Sequence, residues 1–139
     1  MYELVYESFA SLNLNNEKIS EILETARKFN KENNVSGCLI YHNDKFIQIL
    51  EGDQKTIETL FSSIKKDIRH HNILLFHKGP IKERNFNLWN MAYIDLSTAK
   101  EDKIERELFK TNLLAYSEII EKTSQASAIF WDEVKSILK

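Results

Sequence analysis

One proline, three glycines and one cysteine are all that 139 residues hold of the types that break or staple a chain. So little glycine and proline excludes collagen-like repeats and low-complexity linkers. The lone cysteine, Cys38, excludes an internal disulfide and a multi-cysteine metal site, and points to a reducing, cytoplasmic setting. No stretch approaches the ~18 apolar residues of a membrane span. The opening MYELVY also lacks the basic, apolar, small-residue order of a secretion signal. A chain neither secreted nor membrane-spanning is therefore expected. Charge of one sign is missing too: 19 Lys and Arg against 21 Asp and Glu leave −2, which argues against a nucleic-acid partner. What is present, 42% hydrophobic and 29% charged residues, is the composition of one folded domain.

Residues 2 to 7 alternate, with Tyr2, Leu4 and Tyr6 on one side, which predicts a first strand. Asn16 is the expected N-cap of a helix whose apolar positions Ile19, Ile22, Leu23 and Ala26 carry it to about Glu32. Val35 to Tyr41 and Lys45 to Glu51 read as strands joined across His42, Asn43 and Asp44, a hairpin. Gly52 and Asp53 open a second helix with Ile57, Leu60, Phe61, Ile64 and Ile68 inward, ending near Arg69. Ile73 to His77 and Phe86 to Asp95 are the fourth and fifth strands, with Gly79 and Pro80 breaking the fourth.

The order β-α-β-β-α-β-β predicts an α+β, ferredoxin-like sandwich with both helices on one sheet face. From Ser97 the chain reads as two or three short helices. Ala126, Phe130, Val134, Ile137 and Leu138 form a stripe that can cover the opposite face, or meet a second subunit in a homo-oligomer. The expected division is a domain over 1–96 and a helical extension over 97–139.

Three polar residues sit where the pattern expects oil. Asn30 falls on the buried stripe of the first helix, Gln48 lies between Phe46 and Leu50 in a strand apolar on both sides, and Tyr6 shares the side of Leu4. Singly, each is a satisfied core group: a tyrosine hydroxyl reaching water, or an asparagine capping a helix end. Together they would converge between sheet and helix, where amides and a phenol can bond the edge of a flat heteroaromatic ring. They include no acid, base or nucleophile for turnover.

Other groups are less specific. His70, His71, Asp67 and His77 lack the recurring spacing of a metal site, and none is expected. Lys65, Lys66, Arg69 and His70 form either a solvated face or a phosphate contact. Cys38, in an apolar strand, reads as a small buried hydrophobe. Glu51 and Asp53 belong to no recognisable acid pair.

Tyr6, then RKFNKENNVSGCLIY, DKFIQILEG, KKDIRHHN and NFNLWNMAYIDL, in that order over residues 1 to about 96, resemble the BLUF family of blue-light sensors using FAD. The resemblance implies that Tyr6 is a photoactive tyrosine, Gln48 a switching glutamine, and Asn30 the group holding the flavin's pyrimidine edge. It further implies that Asp67, Arg69 and His70 contact the flavin side chain and phosphates. Ile22, Leu39 and Ile64 would line the ring pocket, and Trp89 and Met91 would relay the switch from the fifth strand. Phe29 and Ala26 depart from the family, standing where a polar residue and a hydroxyl are common. The implied function is a FAD-binding photoreceptor, not an enzyme, that signals to a downstream protein partner through its C-terminal helices. A flavin-dependent reductase and a ligand-free interaction module are the alternatives.

Overall fold

The computed structural model describes residues 1–12, 14–86, 92–95, 111 and 124–138, with backbone alone at 16, 92–95 and 138. The elements are β1 (Tyr2–Ala10), α1 (Asn16–Glu32), β2 (Ser36–His42), β3 (Lys45–Gly52), α2 (Gln54–Lys66), β4 (His70–Pro80), β5 (Ala92–Asp95) and α3 (Gln125–Leu138). They assemble into the ferredoxin-like sandwich, with one five-stranded sheet in the order β4-β1-β3-β2-β5. Strands β4, β1, β3 and β2 are antiparallel neighbours, whereas β5 adds to β2 in parallel, a direction that strand periodicity does not encode.

Local chemistry moves several expected boundaries. The N-cap of α1 is Asn15, not Asn16: its side-chain oxygen accepts from Lys18 N–H at 2.9 Å. The turn between β2 and β3 is the pair Asn43 and Asp44, both with positive φ (47° and 61°), which matches the twist of a two-residue hairpin. Helix α2 stops at Lys66, short of Arg69, because Asp67 takes an extended conformation and its carboxylate accepts from Arg69 N–H at 3.0 Å. Ile68, expected on the buried stripe, is consequently 89% exposed.

Strand β4 extends through Gly79 and Pro80, which pair with Glu3 and Tyr2 at the sheet's edge, where proline's missing N–H costs nothing. Phe86 does not begin β5, since its N–H is taken by the Glu51 carboxylate instead of a ladder partner. Trp89 and Met91, and the helices expected over 97–123, lie outside the described residues.

The period of two divides the sheet into faces. Leu4, Tyr6, Leu39, Phe46 and Leu50 meet Ile19, Leu23, Ile57 and Phe61 of α1 and α2. Val5, Cys38, Ile40, Ile47 and Ile49 meet Ala126, Phe130, Trp131 and Val134 of α3, which covers the opposite face. Trp131, absent from the expected stripe, is fully buried there and stacks on Phe86 with ring centroids 6.2 Å apart.

Candidate functional site

Register places the site. Tyr6 pairs directly with Gln48 in the β1–β3 ladder, and Gln48 with Leu39 in the β3–β2 ladder, so the three form one row on the helix-covered face. Above this row lies a cavity of about 300 Å³, at the small end of the ~300–1,000 Å³ typical of ligand pockets. Nine residues singled out from sequence line it: Tyr6, Ile22, Asn30, Leu39, Gln48, Ile64, Asp67, Arg69 and His70. Ala26 and Phe29 line it as well.

At the floor, the Tyr6 hydroxyl donates a hydrogen bond to Gln48 Oε1, and Phe61 packs against the phenol with ring centroids 5.4 Å apart. Burial pushes the Tyr6 phenol well above its ordinary pKa, and the negative charge of Asp67 adds to the shift. The phenol is therefore neutral and directed to a neutral acceptor. Because Oε1 serves Tyr6, the NH₂ group forms the other terminus of the Gln48 amide.

Asn30, 1% exposed, is not a helix cap. Asn33 closes α1, with its Nδ2 and its backbone N–H donating to Phe29 O at 2.8 and 2.9 Å. Asn30 Nδ2 is buried with no hydrogen-bond partner among the described residues. An amide donor buried at a cavity wall costs free energy until an acceptor arrives there, which is the requirement a polar ring edge meets.

The far end of the cavity carries charge. Arg69 grips Asp67 through Nε at 2.9 and 3.0 Å and through Nη2 at 2.5 Å. This hydrogen-bonded pairing holds the Asp67 carboxyl below its ordinary 3.8. It also raises the guanidinium of Arg69. His70 braces the junction: its Nε2 contacts Ile64 O at 2.5 Å and its Nδ1 contacts Ser8 Oγ at 2.8 Å. A carbonyl can only accept, so Nε2 donates to Ile64 O, and Nδ1 is left within hydrogen-bond reach of Ser8 Oγ.

A consequence for stability follows from the Asp67 shift. A carboxylate whose pKa is lowered on folding stabilises above its unfolded value, and that contribution vanishes as pH falls through the folded value. Wild type should therefore outlast Asp67→Asn in urea at pH 7, the gap closing below about pH 4. Equal urea midpoints at neutral pH would show the pair to be unimportant.

Three further groups at the cavity were not singled out from sequence: Thr25 on α1, and Thr59 and Ser63 on α2. For Thr25 and Ser63 the signal exists. Ile22, Thr25, Ala26 and Phe29, and equally Leu60, Ser63, Ile64 and Asp67, follow the i, i+3, i+4, i+7 spacing of one helix face. Thr25 and Ser63 supply hydroxyls to the cavity that Ala26 and Phe29 line without polar groups. Among the described residues, no set of three or more His, Cys, Asp or Glu is grouped to hold a metal. Likewise, no described helix is long and apolar enough to cross a membrane.

An α+β sandwich enclosing an apolar cavity, with a neutral phenol–amide pair at its floor and an unmet amide donor on its wall, is a module for holding a flat organic ligand. The sequence model of BLUF, described as sensors of blue-light using FAD, matches residues 1–92. The chain belongs to the BLUF family, blue-light photoreceptors whose cofactor is FAD. It is 34% identical over 83 residues to photoactivated adenylate cyclase subunit beta of Euglena longa, covering 60% of this chain and 10% of that protein. It is 27% identical over 106 residues to the blue light- and temperature-regulated antirepressor BluF of Escherichia coli K12, covering 76% of this chain and 26% of that protein. The chain thus spans about a tenth to a quarter of these relatives. Among solved structures, BlsA in its photo-activated state matches with a TM-score of 0.70 and 30% identity, over 99% of this chain and 94% of that one.

Proposed function

We propose that Tyr6 and Gln48 form a light-driven hydrogen-bond switch beneath the FAD ring, and that α3 conveys its state to a protein partner. The observation carrying this reading is the buried Tyr6–Gln48 bond inside a cavity whose wall holds the unpartnered amide of Asn30.

The residues divide the work. Asn30 would hold the polar edge of the ring, Ile22, Leu39 and Ile64 would line its apolar surface, and the Arg69 guanidinium would supply positive charge for the phosphates. Asp67 and His70 hold Arg69 and the α2–β4 junction in place. Bound FAD supplies blue-light absorption and, once excited, a strong oxidant. Tyr6 would be the electron donor to that oxidant, with its hydrogen bond to Gln48 Oε1 the path for the departing proton. Return of both restores the phenol, so there is no net chemistry, but the Gln48 amide can be left with donor and acceptor ends exchanged. A changed hydrogen bond to the ring shifts its absorption to longer wavelength.

On this reading 1–96 is the sensor and 97–139 the output extension, with Trp89 and Met91 relaying the change along the fifth strand. On this reading the chain acts as a sensor, which the family's description as sensors of blue-light using FAD supports. The cyclase joined to the Euglena domain suggests that effectors differ between family members while the sensor is shared. A cytoplasmic location is in keeping with a lone, buried cysteine, Cys38.

Visible spectra of purified protein, in the dark and after blue light, test this directly. A flavin spectrum that moves reversibly to longer wavelength is expected. Bleaching by NADH or NADPH would instead indicate a reductase, and colourless protein after flavin reconstitution would indicate a ligand-free module.

A further inference from the structure

The ladder that pairs Tyr6 with Gln48 also pairs Glu3 with Glu51, three residues along each strand and therefore on the opposite face. Glu3 is 1% exposed and Glu51 fully buried. Two carboxylates directly opposite on one sheet face repel, and an apolar pair would pack better beneath α3. Their hydrogen bonds indicate what offsets that cost. Glu3 Oε1 accepts from Ala126 N–H in the first turn of α3 at 3.1 Å, with His77 Nε2 at 3.6 Å. Glu51 accepts from Asn85 N–H at 2.7 Å and Phe86 N–H at 2.8 Å, in the segment after β4. Asn85 Nδ2 then donates to Ser124 Oγ at 3.0 Å, and Ser124 Oγ accepts from Ser127 N–H at 3.1 Å. Both carboxylates thus end at the N-terminus of α3, Glu3 directly and Glu51 through Asn85.

We propose that Glu3 and Glu51 are positioning residues of the light response, carrying a change at Tyr6 and Gln48 through the β1–β3 ladder to α3. Apolar contact alone would let α3 slide over the sheet, whereas main-chain N–H groups aimed at two fixed carboxylates tie its first turn to those two strands. The tie is also poised to change. Glu3 Oε2 is buried without a hydrogen-bond partner among the described residues, so docking of α3 opposes hydration of this carboxylate. Burial of Phe130, Trp131 and Val134 favours docking, and a small strand shift can tip the balance between the two.

The proposal rests on α3 being an output element, and hydrogen exchange over 125–138 separates the two ideas. The FAD-loaded full chain is measured in the dark and under blue light as wild type, Glu3→Gln, Glu51→Gln and Asn85→Ala. Wild type is expected to change its exchange over 125–138 with light. The variants are expected to keep the reversible spectral shift and to lose roughly two thirds or more of that light-dependent difference, while exchanging faster in the dark. Asn85→Ala leaves both carboxylates in place and gives the reading if a glutamine variant does not fold. Variants with the full wild-type difference would overturn the proposal alone. Wild type that shifts its spectrum with no change over 125–138 would overturn both the proposal and the output role of α3. Loss of the spectral shift in the variants would assign the carboxylates to support of the pocket and overturn the coupling.

Discussion

Tyr6→Phe is expected to bind FAD, stay yellow and lose the reversible light-induced red shift altogether. The ring that packs against Phe61 survives the substitution, so the cavity keeps its shape. What disappears is the hydroxyl that donates to Gln48 Oε1, and with it the proton that could follow an electron out of the phenol. Burial holds the native phenol neutral, so no deprotonated tyrosine offers another route at ordinary pH. Loss of this buried hydrogen bond should also lower stability by about 1 kcal/mol. Light-minus-dark difference spectra decide the matter. A red shift of wild-type size in Tyr6→Phe would remove Tyr6 from the switch.

A second large effect lies outside the cavity. Gly37→Ala should lower the melting temperature by more than about 10 °C, or abolish folding, through a loss exceeding about 3 kcal/mol. Gly37 has φ 153°, which side-chain-bearing residues rarely adopt. A methyl built there would stand 1.9 Å from Ile49 O and 3.0 Å from Ile49 C, inside the backbone of β3. Relief requires β2 and β3 to part, which would displace Leu39 from Gln48 and open the cavity floor. Gly79→Ala is the control, because its methyl meets only the His77 ring, at 3.4 and 3.7 Å, and should change stability by no more than about 1 kcal/mol. A Gly37→Ala protein melting within a few degrees of wild type would mean the two strands yield there.

Much of the site is legible in one dimension because two short periods define it. Period two places Tyr6 with Leu4, and Gln48 with Phe46 and Leu50, and the 3.6 period places Asn30 with Ile22 and Ala26. A polar residue on an apolar stripe is visible without coordinates, and all three of these line one cavity. The helix-end reading of Asn30 could not be settled that way, since Asn33 lies only three residues on and is equally able to cap. Ile68 misleads for a related reason: it continues the apolar spacing of α2, but Asp67 bonds to Arg69 and turns the chain first. Glu3 and Glu51 are the clearest case of missing information. Both alternate correctly for the face opposite the cavity, where a carboxylate on a strand ordinarily faces water.

The amino-acid order by itself determined the strand and helix sequence, a hairpin between β2 and β3, the family, and the facing of Tyr6, Gln48 and Asn30 into one space. These depend on side-chain periodicity and turn chemistry, which act over a few residues. Tertiary structure alone decided that β5 runs parallel to β2, that Trp131 stacks on Phe86, and that the first turn of α3 sits over two buried carboxylates. Each depends on groups far apart in the chain, Glu3 and Ala126 above all, whose meeting is set by the register of the whole sheet and by burial that no local pattern encodes.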